Sequence, residues 1–200
     1  MHKPVTNTDP RIIRSKTALR EALLHLMAQK SFASISITDI VKQASYNRGT
    51  FYANYANKEE LLGDMITELI KDLLHSFRAP YEKATEFFPH ELHANSIMIF
   101  EHIAQHSNIY SVLARSEALP ILREKMFVSL KQILREELIF EDTDVDQELL
   151  AIYSLHALLG LIFHWIDSGF VHSPSYMQEQ LVKILNHRPS STKMSLKLKQ

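Results

Sequence analysis

Helix-start signals punctuate this chain from end to end, each followed by apolar residues at three- and four-residue steps, and that pattern predicts an all-α fold. Asp9-Pro10 pairs an N-cap with proline at the first helical position, and Ile12, Lys16, Leu19, Leu23, Leu26 and Met27 continue at helical spacing, giving a helix over about 10–30. Ser36-Ile-Thr-Asp39 resembles a capping box and opens a short helix ending near Ala44. Three connecting residues, Ser45-Tyr46-Asn47, lead to a second short helix from Arg48 to about Tyr55. Asn57-Lys-Glu-Glu60 supplies another N-cap, and Leu61, Leu62, Met65, Ile66, Leu69, Leu73 and Phe77 carry one apolar face to about Arg78. Pro80 and Pro89 break the pattern, after which helices are expected at about 91–106, 108–116, 118–139, 144–169 and 174–187. About nine helices result. The expected organisation is a flexible N-terminus (1–8), a helix-turn-helix unit (9–57), a connecting helix (58–78), a helical regulatory and dimerisation domain (79–187) and a flexible polar tail (188–200).

Charge separates the first of these parts from the rest. The whole chain of 200 residues has a net charge of only -1, yet residues 1–58 hold nine Lys and Arg against three Asp and Glu, a balance of +6 that leaves -7 on the remainder. A basic segment on an acidic body points to an anionic partner, most simply nucleic acid. Two short helices joined by a three-residue turn inside that segment form a helix-turn-helix, whose second helix must put its N-terminal side chains in the major groove while its back packs on the first. Phe51 and Tyr55 suit the packing face, with Ile37, Ile40 and Val41 opposite. Arg48, Thr50, Tyr52 and Asn54 are left for bases and phosphates, and Asn47 in the turn is counted with them. Gly49 lets the backbone approach, and Lys58 can meet a phosphate at the start of the next helix.

The stretch from Ser36 to Leu62, SITDIVKQASYNRGTFYANYANKEELL, resembles the DNA-binding signature of the tetracycline-repressor (TetR) family, with the likeness reaching from about Asp9 to Leu74. The resemblance implies an all-helical homodimeric transcription regulator whose last two long helices pair with those of a partner. It also implies that Thr38, Arg48, Gly49, Thr50, Tyr52, Asn54 and Lys58 stand where the family meets DNA. Trp165-Ile-Asp-Ser-Gly-Phe170 followed by Ser173-Pro174 looks like the ending of a subgroup that includes regulators of dihydroxyacetone kinase operons. Departures are visible too. The family usually has glycine where this chain has Ser45, a small aliphatic residue at Tyr46, a polar side chain at Ala53 and often histidine at Asn54. If the turn needs a left-handed residue, serine costs on the order of 1 kcal/mol.

Other chemistries find little support. Four glycines, Gly49, Gly63, Gly160 and Gly169, cannot be arranged into a dinucleotide or phosphate loop, and the absence of cysteine excludes thiolate metal sites and cysteine nucleophiles. His102 and His106 share a helical face and His90-Glu-Leu-His93 falls one position short of a zinc-protease pattern, so no metal or other cofactor is expected. No nucleophile elbow or kinase signature occurs, so an enzyme is not expected. The apolar segment 144–169 reaches membrane-spanning length, but Ser154, His156 and His164 interrupt it, and burial on two sides, by its own domain and by a second protomer, explains it better. The polar start lacks an apolar signal region, so a cytoplasmic protein is expected. Tyr110, Met126, Phe127, Tyr153, His156, His164 and Trp165 are candidates to line a small-molecule pocket, with the core itself as the alternative use of such residues. The function expected is a TetR-like repressor released from a palindromic operator by a signal at the C-terminal domain, with a TetR-fold regulator or coactivator controlled by a protein partner rather than a small molecule as the competing reading. The homodimer would form through the 144–169 and 174–187 helices.

Overall fold

The computed structural model describes residues 9–79, 82, 93–137 and 144–187. The expected flexible N-terminus and tail, and the ends of the helices expected at 91–106 and 118–139, lie wholly or partly outside these. Among the described residues the protein is all-α, with nine α-helices: α1 Pro10–Met27, α2 Ile37–Gln43, α3 Arg48–Tyr52, α4 Lys58–Arg78, α5 Ile99–Gln105, α6 Ser107–Ala114, α7 Leu119–Glu137, α8 Gln147–Asp167 and α9 Pro174–Leu185. Two 3-10 turns, Phe32–Ser34 and Ala94–Ser96, precede α2 and α5.

The capping residues act as expected. Asp9 accepts from the Arg11 N–H, Ser36 and Asp39 exchange bonds as a complete capping box, and Asn57 accepts from the Glu60 N–H. Several boundaries differ from the sequence reading, among them α3, which ends at Tyr52 rather than about Tyr55, and α8, which spans Gln147–Asp167 rather than 144–169. The helix expected to end near residue 30 stops at Met27, where the Gln29 and Lys30 amides both bond to the Leu26 carbonyl. The helix expected from residue 91 starts at Ile99: the segment before it is a 3-10 turn closed by the Ser96 hydroxyl on the His93 carbonyl. The buried amide of Gln178 in α9 donates to the Ile97 carbonyl at 2.9 Å, which holds this extended entry in place.

One hydrophobic cluster runs from Leu19 in α1 to Met177 in α9. The long α4 crosses it, burying Leu61, Leu62, Met65, Ile66, Leu69, Ile70 and Leu73, and packs on α1 as well as on α5 and α7. α8 is long and apolar enough to cross a membrane by length and composition alone, but it packs on α6 and α7 with Leu155, Ile162, Trp165 and Ile166 buried, as a core helix does. Its outer side remains uncovered: Leu149 is 63% exposed and Tyr153 75%.

A polar group is sealed into this core. His102 of α5 is buried, its Nε2 stands 3.1 Å from the equally buried Tyr110 hydroxyl of α6, and its ring lies 4.4 Å from that of His106. Burial, with the neighbouring His106 adding to it, lowers the His102 pKa from 6.5 to about 4. The unfolded chain therefore binds the extra proton first, so stability is complete above about pH 6.5 and declines as pH falls towards 4. Urea unfolding between these pH values should show a falling midpoint for the native protein and a flatter dependence for His102→Gln.

Candidate nucleic-acid interface

α2 and α3 form a helix-turn-helix whose turn is closed at both sides. The Tyr46 N–H bonds to the Val41 carbonyl at 2.9 Å and the Ser45 N–H to the Lys42 carbonyl at 3.2 Å, the pair of bonds that ends a helix through a left-handed residue. That residue is Ser45, at φ 57°, so the serine does occupy the conformation glycine adopts without cost. Asn47 then caps α3, its Oδ1 accepting from the Thr50 N–H at 2.9 Å and the Thr50 hydroxyl at 3.3 Å. A Cβ on Gly49 would stand 3.1 Å from that oxygen, so Gly49 makes room for the cap, a role the sequence reading had not given it.

The back of the unit is buried through Ile40, Val41, Phe51 and Tyr55, with Phe51 and Tyr55 ring centroids 5.9 Å apart. Tyr55 also donates its hydroxyl to Asp64 of α4 at 2.6 Å, and burial together with this carboxylate raises the phenol's pKa. Lys16 and Arg20 of α1 approach the same carboxylate at 3.9 and 3.5 Å. On the other flank the Asn54 amide donates to the Thr50 carbonyl at 2.8 Å and to the hydroxyl of Ser15, a buried α1 serine, at 3.2 Å. α3 is thus braced to α1 and α4 at its C-terminal end while its N-terminal end is open to solvent.

Lys58 turns inward. Its ammonium donates to the carbonyls of Phe32 at 2.8 Å, Ala33 at 3.1 Å and Ile35 at 2.8 Å, and stands 4.7 Å from the Phe32 ring centroid. Three donors meet three acceptors, so the group expected at a phosphate is already fully used in joining α4 to the turn before α2. The same turn reaches the C-terminal part of the molecule, where the Phe32 N–H donates to Glu117 at 3.3 Å. Lys30 is held by Asp39 at 2.9 Å; the Ser36 backbone N–H first, then Lys30 and the Ser36 hydroxyl, lower the Asp39 pKa to about 2. Arg11, Arg14, Lys42 and Arg48 are exposed and carry no ion pair among the described residues. Of the expected contact residues, Thr38, Asn47, Arg48, Gly49 and Tyr52 are exposed, Thr50 and Asn54 partly so, and Tyr52 presents 51% of its surface.

Comparison with known proteins agrees with this geometry. The family described as bacterial regulatory proteins, tetR family, matches residues 14–65, and the family described as transcriptional regulator C-terminal region (TetR_C_8) matches residues 90–187. The chain belongs to the TetR family. Regulators of this family bind DNA and act as dimers. A relative, the uncharacterized HTH-type transcriptional regulator YxbF of Bacillus subtilis (strain 168), is 28% identical over 181 residues, which are 89% of this chain and 46% of YxbF. The chain therefore spans less than half the length of that TetR-like relative. Among solved TetR-fold structures, the fatty acid degradation regulator FadR from Bacillus halodurans superposes with a TM-score of 0.62 at 17% identity, over 91% of this chain and all of that one. The dihydroxyacetone kinase operon activator DhaS gives 0.60 at 16% identity over 86% and 94%. A TetR transcriptional regulator from Streptococcus agalactiae 2603V gives 0.59 at 20% identity over 92% and 100%. At these identities the likeness is one of fold.

The candidate pocket residues do not form one site. Tyr110 and Met126 are completely buried in the core, where tight packing rather than a cavity uses them. Tyr153 lies on the outer side of α8 because its helical position faces away from α6 and α7. Trp165 borders a cleft of about 280 Å³ with Phe170, His172 and Pro174, its indole N–H on the His172 carbonyl at 2.9 Å. Phe127, His156 and His164 do come together, in a separate cleft of about 580 Å³ between α7 and α8 that also takes in Arg123, Glu124 and Asp167. Among the described residues no group of three or more His, Asp or Glu side chains is placed to hold a metal.

Two substitutions follow from this arrangement. Ser45→Gly should raise the unfolding free energy by about 1 kcal/mol in denaturant titration, since it relieves a left-handed serine. Lys58→Met should lower it by about 1–3 kcal/mol by removing the ammonium from the Ala33 and Ile35 carbonyls, while the Phe32 carbonyl keeps the Ile35 N–H. The salt dependence of DNA binding should keep its slope in Lys58→Met, whereas a lysine on a phosphate would reduce it by about 1.

Proposed function

We propose that this TetR-family regulator works in the cytoplasm as a homodimeric repressor that binds a palindromic operator and leaves it on a signal received by the C-terminal helices. The observation that carries the reading is the α2–α3 unit: capped, closed by a left-handed turn, braced on α1 and α4, and open on the outer face of α3, where Arg48 at its first residue and Tyr52 at its last are exposed. In this reading Arg48 meets a guanine or a phosphate, and Tyr52, Thr50 and Thr38 meet bases or backbone. Asn47 and Asn54 shape the helix that reads, Gly49 allows close approach, and Lys58 positions the unit. Arg11, Arg14 and Lys42 supply the electrostatic attraction.

Binding a palindrome requires two recognition helices about one DNA turn apart, roughly 34–36 Å. The dimer surface we infer is the outer side of α8, where Leu149, Tyr153 and Ala157 are exposed, extended by Tyr176, Ile184 and Leu185 of α9. Exposed apolar side chains on so apolar a helix are better accounted for by a second protomer than by water. The α7–α8 cleft around Phe127, His156 and His164 is the candidate effector site. The uncovered α8 surface favours one competing reading, in which a protein partner rather than a small molecule delivers the signal. The molecule has no enzymatic role in either reading.

Mobility shifts with the DNA flanking its own gene, against excess nonspecific competitor and at two salt concentrations, test the proposal. Competitor-resistant binding with two protomers per site is the expected result. Arg48→Ala and Tyr52→Ala should each weaken it by about 1–3 kcal/mol without changing the sedimentation of the dimer. Binding that stays the same in both variants removes the recognition-helix assignment. Ala157→Glu puts a charge in the α8 surface and should sediment as a monomer with little affinity for the operator; an intact dimer would move the interface elsewhere.

A further inference from the structure

A recognition helix reads bases only with side chains that the fold has not already used, and α3 has few of them. The Asn47 oxygen is engaged by the Thr50 N–H and hydroxyl, and the Asn54 amide by Ser15 and the Thr50 carbonyl. Gly49 has no side chain and Ala53 only a methyl group. On α3 itself, Arg48 and Tyr52 are the large exposed side chains.

Directly before the α3 cap stands another. Tyr46 is 39% exposed, and its hydroxyl has no hydrogen-bond partner among the described residues. Its backbone is fixed by the 2.9 Å bond to Val41 and by the left-handed Ser45 beside it, so the side chain leaves the turn from a defined point. A residue at this position after a helix usually folds its apolar side chain onto the last turn. Here the last turn presents Ile40 and Val41, both already buried, and Tyr46, though partly covered, keeps 39% of its surface in solvent. It lies in a run of exposed residues, Ser45 to Gly49, that leads straight into the N-terminal end of α3. A phenol offers one O–H that can donate or accept, and a ring edge that can lie against a thymine methyl.

We propose that Tyr46 is a base-reading side chain alongside Arg48 and Tyr52, and that it sets sequence preference at the operator positions next to those read by α3. The inference rests on α3 being the recognition helix. It makes the turn part of the reading surface, which compensates for the side chains that α3 has committed to its own bracing.

The test begins with duplexes selected by the full-length protein from a randomised library. Wild type, Tyr46→Val and Arg48→Ala are then titrated on the best selected duplex, on its single-base variants and on unrelated DNA, with thermal melting as the control. Valine is the kind of small aliphatic residue the family usually carries there, so the turn accommodates it. Tyr46→Val is expected to melt like wild type and to bind the selected duplex about tenfold more weakly. It should lose discrimination at one or two adjacent base pairs, and its salt slope should not change because no charge is removed. Repeating the selection with Tyr46→Val should give a motif degenerate at those same positions. An unchanged motif and affinity in Tyr46→Val, with Arg48→Ala impaired, overturns the inference and leaves the recognition helix standing. Equal weakening on every duplex also overturns it, because that marks a backbone contact. If neither variant changes binding, the assignment of α3 falls and this inference with it.

Discussion

The ammonium of Lys58 holds together what the rest of the DNA-binding unit depends on. Backbone carbonyls in a tight turn between helices have no ladder to bond to, and leaving them unpaired in a partly buried place is costly. Here the Phe32, Ala33 and Ile35 carbonyls converge on one side chain, which sits at the first residue of α4. Because α2 begins only two residues after Ile35, the ammonium fixes where α2 starts relative to α4, and through the closed turn where α3 lies. Tyr55 on Asp64 and Asn54 on Ser15 then determine the tilt of α3. The recognition surface is accordingly set by three polar ties between elements, over a hydrophobic back that supplies most of the free energy without fixing direction.

This division also explains the charge of the N-terminal segment. A net +6 suggests a uniformly basic face, but Lys16, Arg20, Lys30 and Lys58 are occupied by Asp64, Glu68, Asp39 and carbonyl groups. Among the described residues, the charge available to a phosphate backbone is carried by Arg11, Arg14, Lys42 and Arg48. Roughly half of the apparent electrostatic footprint is therefore structural, and counting basic residues overstates the number of counterions that DNA binding would release.

How much could be read from the sequence varied with the range of the interaction concerned. Caps are local, and Asp9, Ser36, Asn57 and Ser173 each accept from a backbone N–H two or three residues on, so most helix starts were readable. The left-handed turn was readable as well, through the unusual serine at a glycine position. What escaped was long-range. Nothing local to Lys58 says that it will meet carbonyls more than twenty residues earlier, and nothing in α1 marks Ser15 as the partner of Asn54 rather than one more polar residue on a helix. The candidate pocket residues separate for a related reason: Tyr110, Met126 and Tyr153 all sit at helical spacing among apolar neighbours, yet two are buried in the core and one faces out. Periodicity finds the face of a helix but not whether that face meets protein, cavity or a second chain.

α4 joins the two ends of the molecule, packing on α1 at one end and on α5 and α7 further along. Its Asp64 and Glu68 are tied to α1 by Lys16 and Arg20, while Thr67, on the neighbouring face, accepts from Lys125 of α7 at 2.8 Å. Its last residue, Arg78, forms a bidentate pair with Glu137 at the far end of α7. The ties to the DNA-binding unit and to α7 thus overlap within one turn of a continuous helix rather than lying in separate halves. Under the proposed function, a signal that displaces α7 at its ties to Thr67 or Arg78 would reach Asp64 and Tyr55 along one continuous helix. The cleft that brings Phe127, His156 and His164 together lies along α7 on the side of α8, where occupancy would bear on that same helix. The Phe32–Glu117 contact adds a second, shorter route from the α6–α7 corner to the turn that Lys58 secures. Two routes that converge on the orientation of α2 and α3 make the spacing of paired recognition helices the quantity that a signal in the C-terminal helices is best placed to change.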